Sequence, residues 1–529
     1  MGGDLDFSSF FMADIGRILR TVRHLRYPQM VYQVAYRLHK PVYQLLSAPD
    51  GKRGKFYTDW TAKPTSLLKN GRFVFLNLEG PADWNYVEHG MLWAYNMNYM
   101  DWLQQDGISK SEQIEWIFRF IDELPKNRIA LDPYPIALRS INWIKTLDRN
   151  QLVEATGKKR MEDCLWSQMK LLEKKLEYHL LGNHLLEDAY ALFISAIYFH
   201  DNEMKKKAER LISKELHEQI LKDGCHYEQS PMYQCVLLDR LLDSYNIALA
   251  NAAFVDNDTM EALKTCSESM LSWLQAIIYR DGSIPIMNDS AKGIAPTPQE
   301  LFDYGHRLGL KWASAQLSDS GYRKMQTKRL EAVVDIGNIT ATYQPGHSHA
   351  DTFNYELRVD GKPFIVDTGI TTYNKNHRRQ YERSTMAHNT VTVDGLDSSE
   401  VWGGFRVGRR AKVKVQADDT GFAKAVHDGY GKDCLHERSF RLEDNSFVVE
   451  DHIGGDHKAV NYIHFESGLE PSVKGKVVDC GNVEIRFEGA DKIEIIDNFV
   501  ASEYNRLRQS KFLAVSFKHS MKYSINVLR

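Results

Sequence analysis

Part-way along this chain the hydrophobic period changes, and that change constrains the fold more than any other feature. From about residue 84 to 308, apolar residues recur at helical spacing in segments such as SEQIEWIFRFIDEL, DCLWSQMKLLEKKL, YQCVLLDRLLDSYNIALA and MEALKTCSESMLSWLQAII. After a connector over residues 309–328 the period falls to two, in short runs such as AVVDIGNITATY, NYELRVDG, NTVTVDG, AKVKVQ, SFVVEDHIGG, VEIRFEG, KIEIIDNFV and FLAVSFKH, punctuated by Asp-Gly, Gly-Gly and Asn turns. A helix repeats a face every 3.6 residues and a strand every two, so one element type cannot serve both halves. The pattern predicts an α+β multidomain chain, with a helical domain over 14–325 and an antiparallel β domain, sandwich or barrel, over 326–529. Successive antiparallel helices fit a bundle, a solenoid or a toroid equally well. Residues 1–13 have no clear pattern and are set aside as a tail.

The strand-like half contains the densest chemistry. In GHSHADTFNYELRVDGKPFIVDTG, His347 and His349 stand two apart and would share a face if extended; KPFIVDTG then delivers Asp367, and HNTVTVDG opens with His388. Two imidazoles and a carboxylate are a common zinc ligand set, although histidines beside strands are more often surface or satisfied core residues.

These residues also carry a resemblance. Gly346-His347-Ser348-His349-Ala350-Asp351, then Asp367-Thr368-Gly369 with Tyr373, then Arg383, then the run from His388 to Gly395, resemble in order the C-terminal module of the heparinase II/III family of polysaccharide lyases. The helical half resembles the same family at LGNHLLEDAYALFISAIYF from Leu181 and at HYEQSPMYQCVLLDRLLD from His226, and its early helices at MLWAYNMNYMDWL and DPYPIALRSINWI. Two positions depart from the pattern: Thr371 stands where many relatives have tyrosine, and Gln234 where many have histidine. The resemblance implies an N-terminal incomplete (α/α) toroid followed by a C-terminal antiparallel β-sandwich, with a cleft for a polymer at their junction.

A polysaccharide lyase removes the C5 proton of a uronic acid and expels the C4 oxygen, so it needs a group to neutralise the carboxylate, a base and an acid. The resemblance implies Asn183 as neutraliser with His184 and Glu187 beside it, Tyr233 as acid or as both acid and base, and His347 as a second base or carboxylate contact. It leaves His349, Asp367 and His388 for a structural zinc ion, and Trp93, Asn96, Tyr99, Arg139, Tyr373 and Arg383 for substrate. By residue type alone, Asn183 reads as a helix cap, Trp93 and Tyr99 as core, and either arginine as a structural ion-pair partner.

The function expected is β-elimination in an acidic polysaccharide or oligosaccharide, with a bacterial exopolysaccharide among the candidates. The alternatives are a glycoside hydrolase using Glu187 and Glu228, or a noncatalytic carbohydrate-binding protein of envelope polysaccharide assembly. A net charge of −3 argues against a nucleic-acid partner, and the six cysteines are scattered without a C-x-x-C pair. The sequence shows neither a cleavable signal nor a membrane-spanning run, an expectation of a cytoplasmic or membrane-surface location, whereas the family resemblance implies the periplasm. DIGRILRTVRHL sets Ile15, Ile18, Leu19, Val22 and Leu25 against Arg17, Arg20 and His24, a helix suited either to packing on the body or to an anionic membrane.

Overall fold

A computed structural model describes residues 7–150 and 154–528. Residues 1–6, within the stretch set aside as a tail, lie outside it, and a helix Phe7–Val22 begins inside that stretch. A second helix, Tyr27–Leu38, follows with proline in its first turn, where the missing N–H costs nothing.

The helical half is built from hairpins of long helices. Pro133–Arg149 packs on Ala155–Leu172, Gly182–Phe199 on Asn202–Gln219, and Pro231–Ala250 on Asn257–Ile277. The first member of each hairpin also packs on its counterpart in the next, so Pro133–Arg149, Gly182–Phe199 and Pro231–Ala250 form a continuous inner layer. Their sequences explain the position: all but one of the eighteen residues of Gly182–Phe199 are buried, whereas Asn202–Gln219 buries one stripe and leaves Lys206 and Lys214 exposed.

The β half is antiparallel throughout. One sheet is a meander of Tyr322–Gln326, Leu330–Asp335, Tyr355–Val359 and Lys362–Ile365. A larger ten-stranded sheet is organised around the hairpin of Val483–Glu503 and Arg506–Val527. VEIRFEG and KIEIIDNFV, read from sequence as separate runs, are one strand carrying register shifts near Gly489, whose φ of 80° marks the bulge. Phe422–His427, His436–Glu443 and Ala459–His464 are further strands, which the sequence reading did not single out. A core of Leu330, Tyr355, Phe440, Phe447, Val449, Leu513 and Tyr523 lies between the sheets. No helix among the described residues is long and apolar enough to cross a membrane.

Candidate active site

A cavity of about 930 Å³ runs along the junction of the two halves. The inner helices point their first turns into it: Tyr134, then Asn183, His184 and Glu187, then Met232 and Tyr233 line one wall, and His347, Thr371 and Tyr373 face them from the β half. Helix N-termini present the positive end of the backbone dipole, so this wall favours an anion before any side chain is counted.

Local chemistry fixes each group. Ser230 caps Pro231–Ala250 by accepting from the Tyr233 amide at 3.2 Å, with Pro231 in the first turn, so the S-P-x-Y motif is a helix start that sets the tyrosine. Gly182 has φ 62°, and a Cβ there would lie 2.6 Å from Glu228 Oε1. Glycine is therefore required for Glu228 to reach Asn183, whose amide nitrogen donates to Oε1 at 3.0 Å and whose side-chain Nδ2 donates to Oε2 at 2.9 Å.

His347 is held from behind. Its Nδ1 lies 2.9 Å from Asp289 Oδ2, and Arg379 grips the same carboxylate through both terminal nitrogens. Burial opposes ionisation of Asp289, but the Arg379 guanidinium and the two histidines hold its carboxyl well below the usual range. An ionised Asp289 makes Nδ1 the protonated nitrogen and leaves the His347 Nε2 lone pair on the side of Asn183 Nδ2, 3.4 Å away. Tyr233 stacks on the His347 ring at 3.9 Å, and its hydroxyl meets that of Tyr373 at 3.3 Å. Burial pushes the Tyr233 phenol up, so it stays protonated at neutral pH.

Two further groups bias the wall toward an acidic ligand. Burial alone would lower His184, but Glu177 at 3.1 Å carries it above its ordinary value. Burial pushes Glu187 up to about 8 despite Arg240 at 3.9 Å, and both its carboxyl oxygens are buried without a hydrogen-bond partner. At neutral pH it is a protonated donor.

Several expected positions need correction. Asn96, Tyr99 and Tyr373 line the cavity, but Trp93, Arg139 and Arg383 do not. Trp93 is buried with its indole on the Leu78 carbonyl; Arg139 is buried against Gln168 and the Asn98 and Ala130 carbonyls; Arg383 is buried on the Ser348 carbonyl. Trp93 and Arg139 are structural, because each already has protein acceptors and no side open to the cavity, and Arg383 is closed off in the same way although its Nη1 is buried without a partner. The arginine coupled to the site is Arg379, four residues before Arg383 in a run with three arginines, where sequence could not choose between them. Asp289 was also missed: MNDS reads as an ordinary polar turn. Gln234 points away, bonded to the His226 amide and the Gly224 and Met270 carbonyls.

His347 and His349 lie in a loop rather than on a strand, and they meet not by sharing a face but by gripping the same Asp289, His349 through Nε2 at 2.8 Å. His388 donates through Nδ1 to Asp367 at 2.7 Å, and its ring centre lies 5.2 Å from that of His349. His349 Nδ1 and His388 Nε2 are both buried without a partner. The Asp367 oxygens are taken by His388, Asn354 and the Gly369 amide, and among the described residues no group of three or more potential ligand side chains is arranged around one point.

The helical half followed by antiparallel sheets, with a cleft between them, gives the chain a two-part architecture. The profile of the heparinase II/III N-terminus matches residues 94–300, and that of the heparinase II/III-like C-terminal domain matches residues 310–528. The chain belongs to the heparinase II/III family. It is 23% identical over 504 residues to a heparin-sulfate lyase of Bacteroides stercoris, covering 82% of this chain and 73% of that one. It is 22% identical over 325 residues to the heparin-sulfate lyase of Pedobacter heparinus, covering 53% of this chain and 48% of that one, so it spans about half the length of this curated relative. Its fold is similar to the crystal structure of heparinase III, with TM-score 0.62, 15% identity, and coverage of 88% of this chain and 80% of that one.

Proposed function

We propose that this chain is a polysaccharide lyase that cleaves a uronic-acid-containing acidic polysaccharide by β-elimination. The observation that carries the reading is the convergence of Asn183 and Tyr233 from the helical half with a carboxylate-oriented His347 from the β half on one cavity. In this reading the helix N-termini, Asn183, His184 and protonated Glu187 seat the uronate carboxylate and lower the cost of charge building at C5. His347 Nε2 takes the C5 proton, the C–H electrons form the C4–C5 double bond, and Tyr233 gives its phenolic proton to the departing C4 oxygen. The Tyr373 hydroxyl then supports the phenolate at Tyr233. A hydrolase pair of Glu187 and Glu228 is less well supported, because both Glu228 oxygens already accept from Asn183.

The helix hairpins with their continuous inner layer fit an incomplete (α/α) toroid, and the two antiparallel sheets around one core fit a sandwich. Two of the three residues expected to hold a structural zinc ion keep a nitrogen for it. His349 and His388 each give one ring nitrogen to a carboxylate and keep the other, Nδ1 and Nε2, buried and unpartnered, the arrangement that orients a histidine ligand. Asp367, whose oxygens accept from His388, Asn354 and the Gly369 amide, would have to turn one of them toward the ion to complete the set. When bound, the metal supplies rigidity to the loop that carries His347.

A screen of defined acidic polysaccharides tests the reaction. The expected product absorbs in the ultraviolet and carries an unsaturated non-reducing uronate, with the mass of the hydrolytic product less one water. Saturated ends that incorporate labelled solvent oxygen would hand the reading to the hydrolase.

A further inference from the structure

The two N-terminal helices are docked inside out. In Tyr27–Leu38 the inward face is polar and aromatic: Gln29 is buried and donates to the Leu180 and Tyr343 carbonyls, Tyr32 stacks on Tyr178 at 4.8 Å, and the Tyr36 hydroxyl donates to the Leu176 carbonyl. The opposite face, Tyr27, Met30, Val31, Val34 and Leu38, repeats at helical spacing and is exposed, Leu38 to 84%. Phe7–Val22 does the same. Arg20 pairs with Glu400 at 2.7 Å, Thr21 accepts from the Trp402 indole and Arg17 lies over the Trp402 ring, while Ile15, Ile18, Leu19 and Val22 are turned out. The basic face that sequence offered to a membrane is therefore the face that binds the protein.

Water does not favour this arrangement. An amphipathic helix that docks by its polar side leaves its apolar side to be covered by something else. The charge around it narrows the choice. Residues 15–49 contain Arg17, Arg20, Arg23, Arg26, Arg37 and Lys40 and no aspartate or glutamate, although the whole chain has 67 basic and 70 acidic residues. Arg20 and Arg26 are paired with Glu400 and Glu218, and Arg23, Arg37 and Lys40 are exposed beside the apolar stripes with no acidic partner among the described residues. Exposed apolar side chains edged by unpaired cations fit the interface of an anionic bilayer, with the apolar groups at the acyl boundary and the cations among lipid phosphates. Val42 and Leu45, in the segment that follows, are exposed as well.

We infer that the N-terminal helix pair attaches this protein to an anionic lipid surface through Ile15, Ile18, Leu19 and Val22 of the first helix and the apolar face of Tyr27–Leu38. Ile18, Val22, Leu25 and Arg37 also line the cavity, so the attached surface is continuous with the mouth of the cleft. Attachment is independent of the reaction proposed above.

The test is sedimentation of the full chain with vesicles of phosphatidylcholine alone and of phosphatidylcholine mixed with phosphatidylglycerol, at low and high salt. The protein is expected in the pellet with the mixed vesicles only, and released by salt. Val34→Asp with Leu38→Asp should lower partitioning by roughly tenfold or more, and Arg23→Glu with Lys40→Glu by roughly tenfold. Both variants change exposed side chains, and circular dichroism and melting should match the parent. Absence from both pellets, equal recovery with neutral and anionic vesicles, or unchanged partitioning of the Val34→Asp, Leu38→Asp variant would each overturn the inference. So would a dimer that this variant dissolves in the absence of vesicle binding, which assigns the face to a second copy.

Discussion

The cleft and the N-terminal helix pair depart from ordinary solvation in opposite directions. The cleft buries ionisable groups: Asp289, Arg379, Glu187 and Glu228 are almost wholly removed from water. The helix pair exposes hydrocarbon: Leu19, Val34 and Leu38 stand in it. Each departure costs free energy in the isolated protein, by desolvation in one case and by unburied apolar surface in the other. The difference lies in how the cost is met. In the cleft the protein supplies its own compensation through the Asp289–Arg379 pair and the Asn183–Glu228 bonds, whereas nothing within the described chain covers the helix faces. Internal compensation indicates a preorganised site; its absence indicates an external ligand.

The comparison breaks most sharply at the reacting groups. Asn183→Ala and Tyr233→Phe should each leave a folded protein and lower turnover by about a hundredfold or more, measured as ultraviolet absorbance against a validated substrate. Loss of folding in Tyr233→Phe, read by circular dichroism, would mean that the hydroxyl and its contact with Tyr373 hold the structure rather than serve the reaction.

Asp289→Ala removes the internal compensation itself. It leaves Arg379 buried without a counter-charge and frees His347, so stability should fall by about 3–5 kcal/mol in urea melts. A variant as stable as the parent would show that Arg379 finds another partner and that Asp289 is not its necessary counter-charge.

Metal analysis should find near-stoichiometric zinc after growth with the metal available, lost in His349→Ala or His388→Ala together with some thermal stability. Protein that is metal-free under those conditions and indifferent to both zinc and chelator would leave the two unpartnered nitrogens as a purely structural feature.

Glu187 tests the cost of burial through pH. Its folded-state value of about 8 lies above its ordinary 4.5, so the fold binds the proton more tightly than the unfolded chain does. The stabilising contribution is complete below pH 4.5 and is lost as pH rises through 8. Glu187→Gln should flatten that decline, making the variant melt higher than the parent at alkaline pH and much the same at acid pH.

The smallest effect belongs to the exposed helices. Val34→Asp should change stability in solution by no more than about 0.5 kcal/mol, since it alters a surface side chain with no partner to lose.

Sequence periodicity was enough to divide this chain, because a period of 3.6 and a period of two demand different backbones and each run needs only its neighbours to express it. The motifs also reported local structure faithfully: S-P-x-Y is a capped helix start, and Gly182 is a glycine because a side chain would strike Glu228. What sequence could not decide was pairing across distance. Asp289 and Arg379 are 90 positions apart and neither is unusual where it stands, so only the fold shows that they orient His347, and only the fold separates Arg379 from Arg383. The same limit governs the first helix. Its amphipathic pattern was plain, but which face turns inward depends on Glu400 and Trp402, almost four hundred residues away, and those contacts reverse the expected orientation. Local sequence dictates the shape of an element and the contrast between its faces; the free energy of docking, a sum over distant partners, dictates which face is seen.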